Sequence, residues 1–173
     1  MRKFNRILAA VLVMLALTVV IAPALAKAAS VPGDVYGIPA CKLLVIEMTI
    51  GSTTIKIDGA AVTIDAAPQI RSSRTFAPIA PIIYALGGTI VWDAATQKVT
   101  IVVGTKTMVL TIGNGYAIVN GKSVAIDSNP AVVPWILAPG RTMLPVRFIA
   151  EQFSGFVMWN AVLQLVTLIF VKS

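Results

Sequence analysis

The side chains that perform most enzymatic chemistry are scarce in this chain of 173 residues. It has no His, a single Cys and seven Asp and Glu. Without His there is no Ser-His or Cys-His nucleophile pair and no imidazole ligand for a metal. One Cys cannot form an intrachain disulfide or a cysteine zinc cluster. Paired carboxylates remain formally open, but we predict no enzyme, no catalytic residue, no metal site and no cofactor.

The charged residues also argue against a nucleic-acid partner. Lys and Arg outnumber Asp and Glu by 14 to 7. The basic residues are scattered singly, without the runs and interleaved aromatic residues that are typical of nucleic-acid binding. Hydrophobic residues make up 57% of the chain and charged residues 12%. Because one domain cannot bury that much apolar surface, we expect a partner, further copies of the chain or lipid to cover part of it.

Several motifs occur twice, in the same order. An Arg-Thr-x-x-Pro motif runs from Arg74 to Pro78 and returns 67 residues later, from Arg141 to Pro145. Trp92 returns at the same spacing as Trp159. Such self-similarity indicates an internal repeat. We predict one repeat over residues 43–104 and a second over residues 105–173.

Each repeat has the signals of two hairpins and one short helix. Asp58-Gly59 and Asn120-Gly121 lie between alternating apolar segments and predict tight turns. Residues 79–86 and 146–153 each follow a Pro and end near a Gly, which predicts helices of about two turns. The expected fold is α+β, with two tandem β-β-α-β-β units, each a small antiparallel sheet packed on one short helix.

These motifs carry a resemblance to a known family. The stretch from Gly140 to Glu151, with the Asn120-Gly121 turn and the following Trp159, resembles the signature of the copper amine oxidase N-terminal-like domain, or stalk domain. The family occurs in secreted and surface proteins of bacteria, and the resemblance implies a noncatalytic appendage. It also implies structural roles for the signature residues, which are Arg74, Pro78, Trp92, Arg141, Pro145, Arg147, Glu151 and Trp159.

Two pairs of signature residues have a structural and a functional interpretation. Arg147 and Glu151 are four residues apart, so they can pair along one helix face; the alternative is that they bind a ligand. Trp92 and Trp159 occupy equivalent strand positions. We predict that both are packed in the core, and the alternative is that they are exposed stacking platforms.

Departures from the family pattern suggest where partners bind. In repeat one, Ala80 and Tyr84 replace the charged pair, so the helix over residues 79–86 carries no charge. An apolar segment over residues 132–139 lies in an insertion of repeat two; it is either an exposed contact element or a loop folded onto its own core. An unpaired Cys in a secreted protein can form an intermolecular disulfide. The predicted interface residues are Trp135, Ile136, Leu137, Ile82, Ile83, Tyr84 and Cys41.

The first residues have the pattern of an export signal. Arg2, Lys3 and Arg6 precede an apolar run that leads to an Ala-Leu-Ala cleavage motif. We predict a signal peptide over residues 1–26, with cleavage after Ala28 as a second option and a retained membrane anchor as the alternative. We predict an extended arm over residues 27–42, with a disordered leader as the alternative. The expected location is secreted, extracellular or at the cell surface, without a membrane span after cleavage.

Together these observations favour a noncatalytic secreted or cell-surface structural module that self-associates. Its expected partners are copies of itself, as an oligomer or a filament, or components of the cell envelope. The alternative is an adhesive or ligand-binding domain that recognises wall polymer or peptide.

Overall fold

A computed structural model describes residues 42–172. The predicted signal peptide, residues 27–41 of the predicted arm and Cys41 lie outside the described residues. Two short helices occur in the described part, α1 (Ala80–Ala85) and α2 (Val146–Gln152), and both lie where the Pro and Gly signals predicted helices. The strands are β1 (Lys42–Thr49), β2 (Thr54–Ile57), β3 (Ala60–Thr63), β4 (Gln69–Arg71), β5 (Arg74–Pro78), β6 (Thr89–Asp93), β7 (Lys98–Val103), β8 (Lys106–Thr111), β9 (Tyr116–Val119), β10 (Lys122–Ala125), β11 (Trp135–Leu137), β12 (Arg141–Pro145), β13 (Phe156–Asn160) and β14 (Leu165–Lys172).

Three antiparallel sheets contain all of these strands. Sheet one has the order β13-β14-β1-β2-β3, and sheet two has the order β6-β7-β8-β9-β10. The central sheet has the order β11-β12-β5-β4. Each sheet therefore combines strands from before and after residue 104, which we call half one (residues 42–104) and half two (residues 105–172).

The halves exchange hairpins. In sheet one, β1 of half one pairs along its whole length with β14 of half two, from Lys42 opposite Lys172 to Thr49 opposite Leu165. In sheet two, β7 of half one pairs with β8 of half two, and in the central sheet β5 pairs with β12. Neither half forms a five-stranded sheet from its own strands.

The predicted α+β class with two self-contained β-β-α-β-β units is therefore wrong. The described chain is mostly antiparallel sheet, with fourteen strands and two short helices in residues 42–172. The reason lies at the junction of the halves, where the turn Gly104-Thr105 joins β7 directly to β8. A two-residue turn closes a hairpin at little entropic cost, so β7 pairs with its sequence neighbour β8. The equivalent edge of β1 is paired instead with β14.

One hydrophobic core joins the three sheets and both helices. Its members include Leu44 of sheet one, Ile101 of sheet two, Phe76 of the central sheet, Ile82 of α1 and Phe148 of α2. Within each long strand buried residues alternate with more exposed ones, because successive side chains point to opposite faces. No polar or charged residue of the described range is buried.

The two predicted tight turns have the expected geometry. Asp58 and Gly59 have φ of 49° and 82°, and Asn120 and Gly121 have φ of 48° and 80°. Positive φ at both central positions is the geometry that Asp-Gly and Asn-Gly favour in two-residue hairpins. The carboxylate of Asp58 accepts a hydrogen bond from the Val45 N–H at 2.9 Å. The hydrogen bond from this N–H is the largest cause that lowers the pKa of Asp58, and the hydrogen bond from Lys172 is the second.

Candidate functional site

Two of the signature arginines form ion pairs that join the halves. Arg74 Nε donates to Asp127 Oδ2 at 2.6 Å, and Arg74 Nη2 donates to Asp127 Oδ1 at 3.0 Å. In the equivalent place, Arg141 pairs with Asp65. Asp127 also accepts a hydrogen bond from the Asn129 N–H at 2.9 Å. The signature arginines therefore tie each half to the other.

The Arg74–Asp127 pair should make stability depend on acidity. The hydrogen bonds from Arg74 and then from the Asn129 N–H hold the pKa of Asp127 below its usual value of 3.8. A carboxyl whose pKa is lowered by folding stabilises the protein above its unfolded pKa, and this contribution is lost as pH falls through the lower folded value. We expect Asp127→Asn to reduce the free energy of unfolding by about 1–2 kcal/mol at pH 7, and by less at pH 2.

Urea unfolding of parent and variant at pH 7, 4 and 2 tests this. The matched control is Asp65→Asn. The Asp65 and Arg141 side chains are 57% and 45% exposed, whereas those of Asp127 and Arg74 are 15% and 33% exposed. Because the Asp65 pair is more exposed, Asp65→Asn should lower the free energy of unfolding by less at pH 7. A penalty for Asp127→Asn that stays the same from pH 7 to pH 2 would contradict the assignment.

Each ion pair lies in the wall of a cleft, and the two clefts occupy equivalent places. Cleft one, of about 400 Å³, is lined by Arg74 and Asp127, by Trp159 of β13 and by Arg147 and Glu151 of α2. Cleft two, of about 380 Å³, is lined by residues at the corresponding positions, which are Arg141, Asp65, Trp92, Ala80 and Tyr84. Both volumes lie in the range of small-ligand sites.

The two tryptophans are not packed in the core, so that prediction is wrong. Trp92 is 41% exposed and Trp159 is 43% exposed. Their side chains have the core-facing register, since Trp92 lies opposite buried Val99 and Trp159 opposite buried Val166. They stay accessible because β6 and β13 are edge strands, with no strand of residues 42–172 beyond them. The position favours the alternative interpretation, an indole that lines an open cleft.

The clefts differ in charge. Arg147 and Glu151 are both exposed on α2, and within residues 42–172 neither takes part in an ion pair. Their expected pairing along the helix is therefore not seen in the described part of the chain. Cleft two has Ala80 and 62%-exposed Tyr84 at the same positions. The shared fold forms without this charged pair, so its presence in cleft one has no packing explanation.

The predicted interface residues are dispersed. Ile82 and Ile83 are fully buried in the core, because the uncharged face of α1 packs inward, so they cannot contact a partner; Tyr84 is exposed. Pro78 and Pro145 are buried at the ends of β5 and β12.

The apolar insertion folds largely onto the core. Val132 is 1% exposed, and Trp135–Leu137 forms strand β11, paired with β12. Trp135 is half-buried with Arg71 over its ring at 5.0 Å, and its indole N–H has no hydrogen-bond partner among the described residues. Of the three predicted interface residues in this segment, Ile136 is the most exposed, at 40%. The structure favours the alternative of a segment packed on its own core.

A different apolar surface was missed. We call it the hairpin surface, and it comprises four side chains on β13 and the turn after it. Their exposures are 69%, 60%, 93% and 60% for Phe156, Met158, Val162 and Leu163. The sequence signal was the uncharged stretch from Asn160 to Leu165, but without the sheet order it did not identify β13 as an edge strand.

Two observations bear on metals and membranes. Among residues 42–172, no three Cys, Asp or Glu side chains come together in an arrangement that could hold a metal ion. No helix in that range has the length and apolarity needed to cross a bilayer.

Comparison with known proteins adds one match. A family model described as the copper amine oxidase N-terminal domain matches residues 56–168. No curated protein and no solved structure matches the chain.

Proposed function

Because the chain belongs to the copper amine oxidase N-terminal domain family, which is named for a noncatalytic part of that enzyme, we propose that it is a noncatalytic surface module that self-associates. The single observation that carries the proposal is the hairpin surface on β13, the edge of sheet one beyond which no strand of residues 42–172 lies. We propose further that the two halves are tandem copies of the family domain and that the protein is exported.

The edge strand β13 lacks the features that usually protect an edge. Its sequence, Phe-Val-Met-Trp-Asn, has no charge and no Pro, and its outward side chains Phe156 and Met158 are exposed. Natural edge strands are usually blunted by Lys, Pro or a bulge, because their unpaired backbone groups are a template for another chain. An unprotected edge of this kind favours a β-strand partner.

The fold itself does not require these apolar side chains. The equivalent hairpin, β6–β7, has the same backbone arrangement in sheet two with smaller or polar residues. Thr89, Val91, Ala95 and Thr96 occupy the positions of Phe156, Met158, Val162 and Leu163. Because the equivalent hairpin forms without the four large side chains, burial against a partner is the best physical explanation for them.

The exposed apolar area can supply a large part of the free energy of association. Each of the four side chains leaves on the order of 100 Å² exposed, so covering them would contribute roughly 10 kcal/mol before the costs of association. Those costs are about 4–15 kcal/mol, so edge hydrogen bonds are needed as well. Pairing β13 with β13 of a second copy supplies them and closes a dimer. Pairing β13 with β6 of the next copy would instead extend into a filament.

Self-association can be tested by placing a positive charge on the edge strand β13. Met158→Lys should convert the oligomer to monomer, because pairing would force the ammonium group into an apolar contact. The matched control is Ala61→Lys, on the same face of sheet one at its other edge, since Met158, Thr167, Glu47, Lys56 and Ala61 form one row across the sheet. Light scattering after size exclusion gives the mass, and circular dichroism checks folding.

The outcomes separate the two arrangements. A parent filament that Val91→Lys on β6 converts to monomers indicates that β13 pairs with β6, whereas a parent dimer that Val91→Lys leaves intact indicates that β13 pairs with β13. A monomeric parent at high concentration, or a folded Met158→Lys variant with the parent mass, would remove the basis for self-association.

Export has its own test. When the full chain is expressed in a secreting host, we expect the exported protein to begin at Lys27, after the Ala-Leu-Ala motif. Intact mass spectrometry of the culture supernatant and the envelope fraction measures the N-terminus. Full-length protein retained in the cell, with Met1 at its N-terminus, would contradict the proposal.

A further inference from the structure

We propose that cleft one binds a sugar ring that carries a carboxylate, such as a uronic acid residue of a polysaccharide. This site adjoins the hairpin surface, because Trp159 and Met158 are neighbours on β13, but successive side chains of a strand lie on opposite faces of the sheet. The proposal does not rest on self-association. Three features of the cleft define the ligand: an exposed indole, a cation that has no ion pair within residues 42–172, and an adjacent carboxylate.

The indole of Trp159 provides a flat apolar wall. It is 43% exposed and fixed on β13 beside Val157 and buried Val166, both of which also line the cleft. The C–H face of a pyranose ring is flat and apolar, so it can stack on an indole while its hydroxyl groups stay at the rim. Burying such a face removes apolar area from water on both partners.

The guanidinium of Arg147 is the available cation. Arg74, the other cation of cleft one, is already held by two hydrogen bonds to Asp127. Arg147 is exposed and has no ion pair among the described residues. A guanidinium binds a carboxylate through two parallel N–H···O bonds, which gives both affinity and orientation. The excess of Lys and Arg in the chain also favours an anionic ligand.

Glu151 supplies the complementary acceptor. It lies one helical turn after Arg147 on α2 and lines the same cleft. A carboxylate accepts hydrogen bonds from hydroxyl groups, which a sugar ring presents next to its own carboxylate. Ser73 and Thr75 also line the cleft and add hydroxyl donors and acceptors.

A sugar ring fits these groups better than a peptide does. The cleft encloses about 400 Å³, which suits a compact ligand held by side chains. An extended peptide would bind through backbone hydrogen bonds along a strand edge. Arg147 and Glu151, the two charged groups of cleft one outside its ion pair, lie on α2 rather than on such an edge.

Cleft two provides an internal control. It has the same indole and the same type of ion pair, but Ala80 and Tyr84 stand in place of Arg147 and Glu151. It should therefore not bind the acidic sugar with comparable affinity.

The experiment is calorimetric titration of the mature protein with a β-1,4-linked glucuronate tetramer. The matched probe is the β-1,4-linked glucose tetramer, which has a hydroxymethyl group in place of each carboxylate. Free glucuronate distinguishes a site for the single ring from a site for the polymer, and tetraglutamate represents an acidic peptide. The variants are Arg147→Ala, Trp159→Ala and, as control, Trp92→Ala, each checked for folding by circular dichroism.

We expect one glucuronate tetramer per chain, with binding at least tenfold weaker for the glucose tetramer, for Arg147→Ala and for Trp159→Ala. Trp92→Ala should bind like the parent. The proposal is overturned if the parent binds no glucuronate, if the glucose tetramer or tetraglutamate binds as tightly, or if the Trp92 variant loses as much affinity as the Trp159 variant. Unchanged self-association in Arg147→Ala would show that a loss of binding comes from the cleft.

Discussion

Residues 42–104 and residues 105–173, produced as separate chains, are expected to stay unfolded alone and to fold when they are mixed. The reason is the exchange of hairpins between the halves. Half one alone would lack β14, which pairs along the whole of β1, and β8, which pairs with β7. Buried residues of those strands, such as Leu44, Ile46 and Ile101, would lie at uncovered edges.

Circular dichroism of each fragment and of the equimolar mixture measures this. The mixture should regain the β-sheet spectrum and elute as one species with the combined mass, because the cut falls in the turn between β7 and β8. A fragment that is folded and monomeric alone would show that its hairpins can pair within one half. Exchange would then not be required for folding.

Phe170→Ala is expected to lower the free energy of unfolding by about 3–5 kcal/mol, since the ring is 1% exposed and its removal leaves a cavity. Gly155→Ala should cost about 1–3 kcal/mol by overpacking. A Cβ at Gly155 would lie 2.4 Å from Cε1 and 2.5 Å from Cδ1 of Phe170, which is closer than any normal contact.

The two changes should not be additive. With the Phe170 ring gone, the new methyl group has no clash, so the double variant should be no less stable than Phe170→Ala alone. Urea unfolding of the parent, both single variants and the double variant measures the coupling. Gly115→Ala is the control, because a Cβ there meets nothing within 4 Å, and it should change stability by less than about 0.5 kcal/mol. Additive losses would contradict the contact.

Local features of the fold could be predicted from the sequence because short-range physics fixes them. Asp58-Gly59 and Asn120-Gly121 specify their turns through positive φ, and a Pro before each helix marks its start. The recurrence of Gly88 at Gly155 also has a physical cause. A Cβ at either position would lie within 3 Å of the last strand of its half.

The sheet order could not be predicted, because alternation tells which face a strand buries and not which strand lies beside it. The error about Trp92 and Trp159 follows from this, since their core-facing register was evident but their place on edge strands was not. The partners of Arg74 and Arg141 were missed for the same reason. The ion pairs join residues 53 and 76 positions apart, and only the exchanged topology brings them together.

The pairing of β1 with β14 also determines how the protein would respond to tension. Lys42 lies opposite Lys172, so the chain enters and leaves the described region at the same end of one antiparallel pair. A force that pulls these two points apart loads the ladder one residue pair at a time, as in unzipping, and such a ladder yields at low force. A force applied along the two strands in opposite directions would instead load all eight pairs together. A chain held at both ends of the described region would therefore extend at low force rather than resist extension.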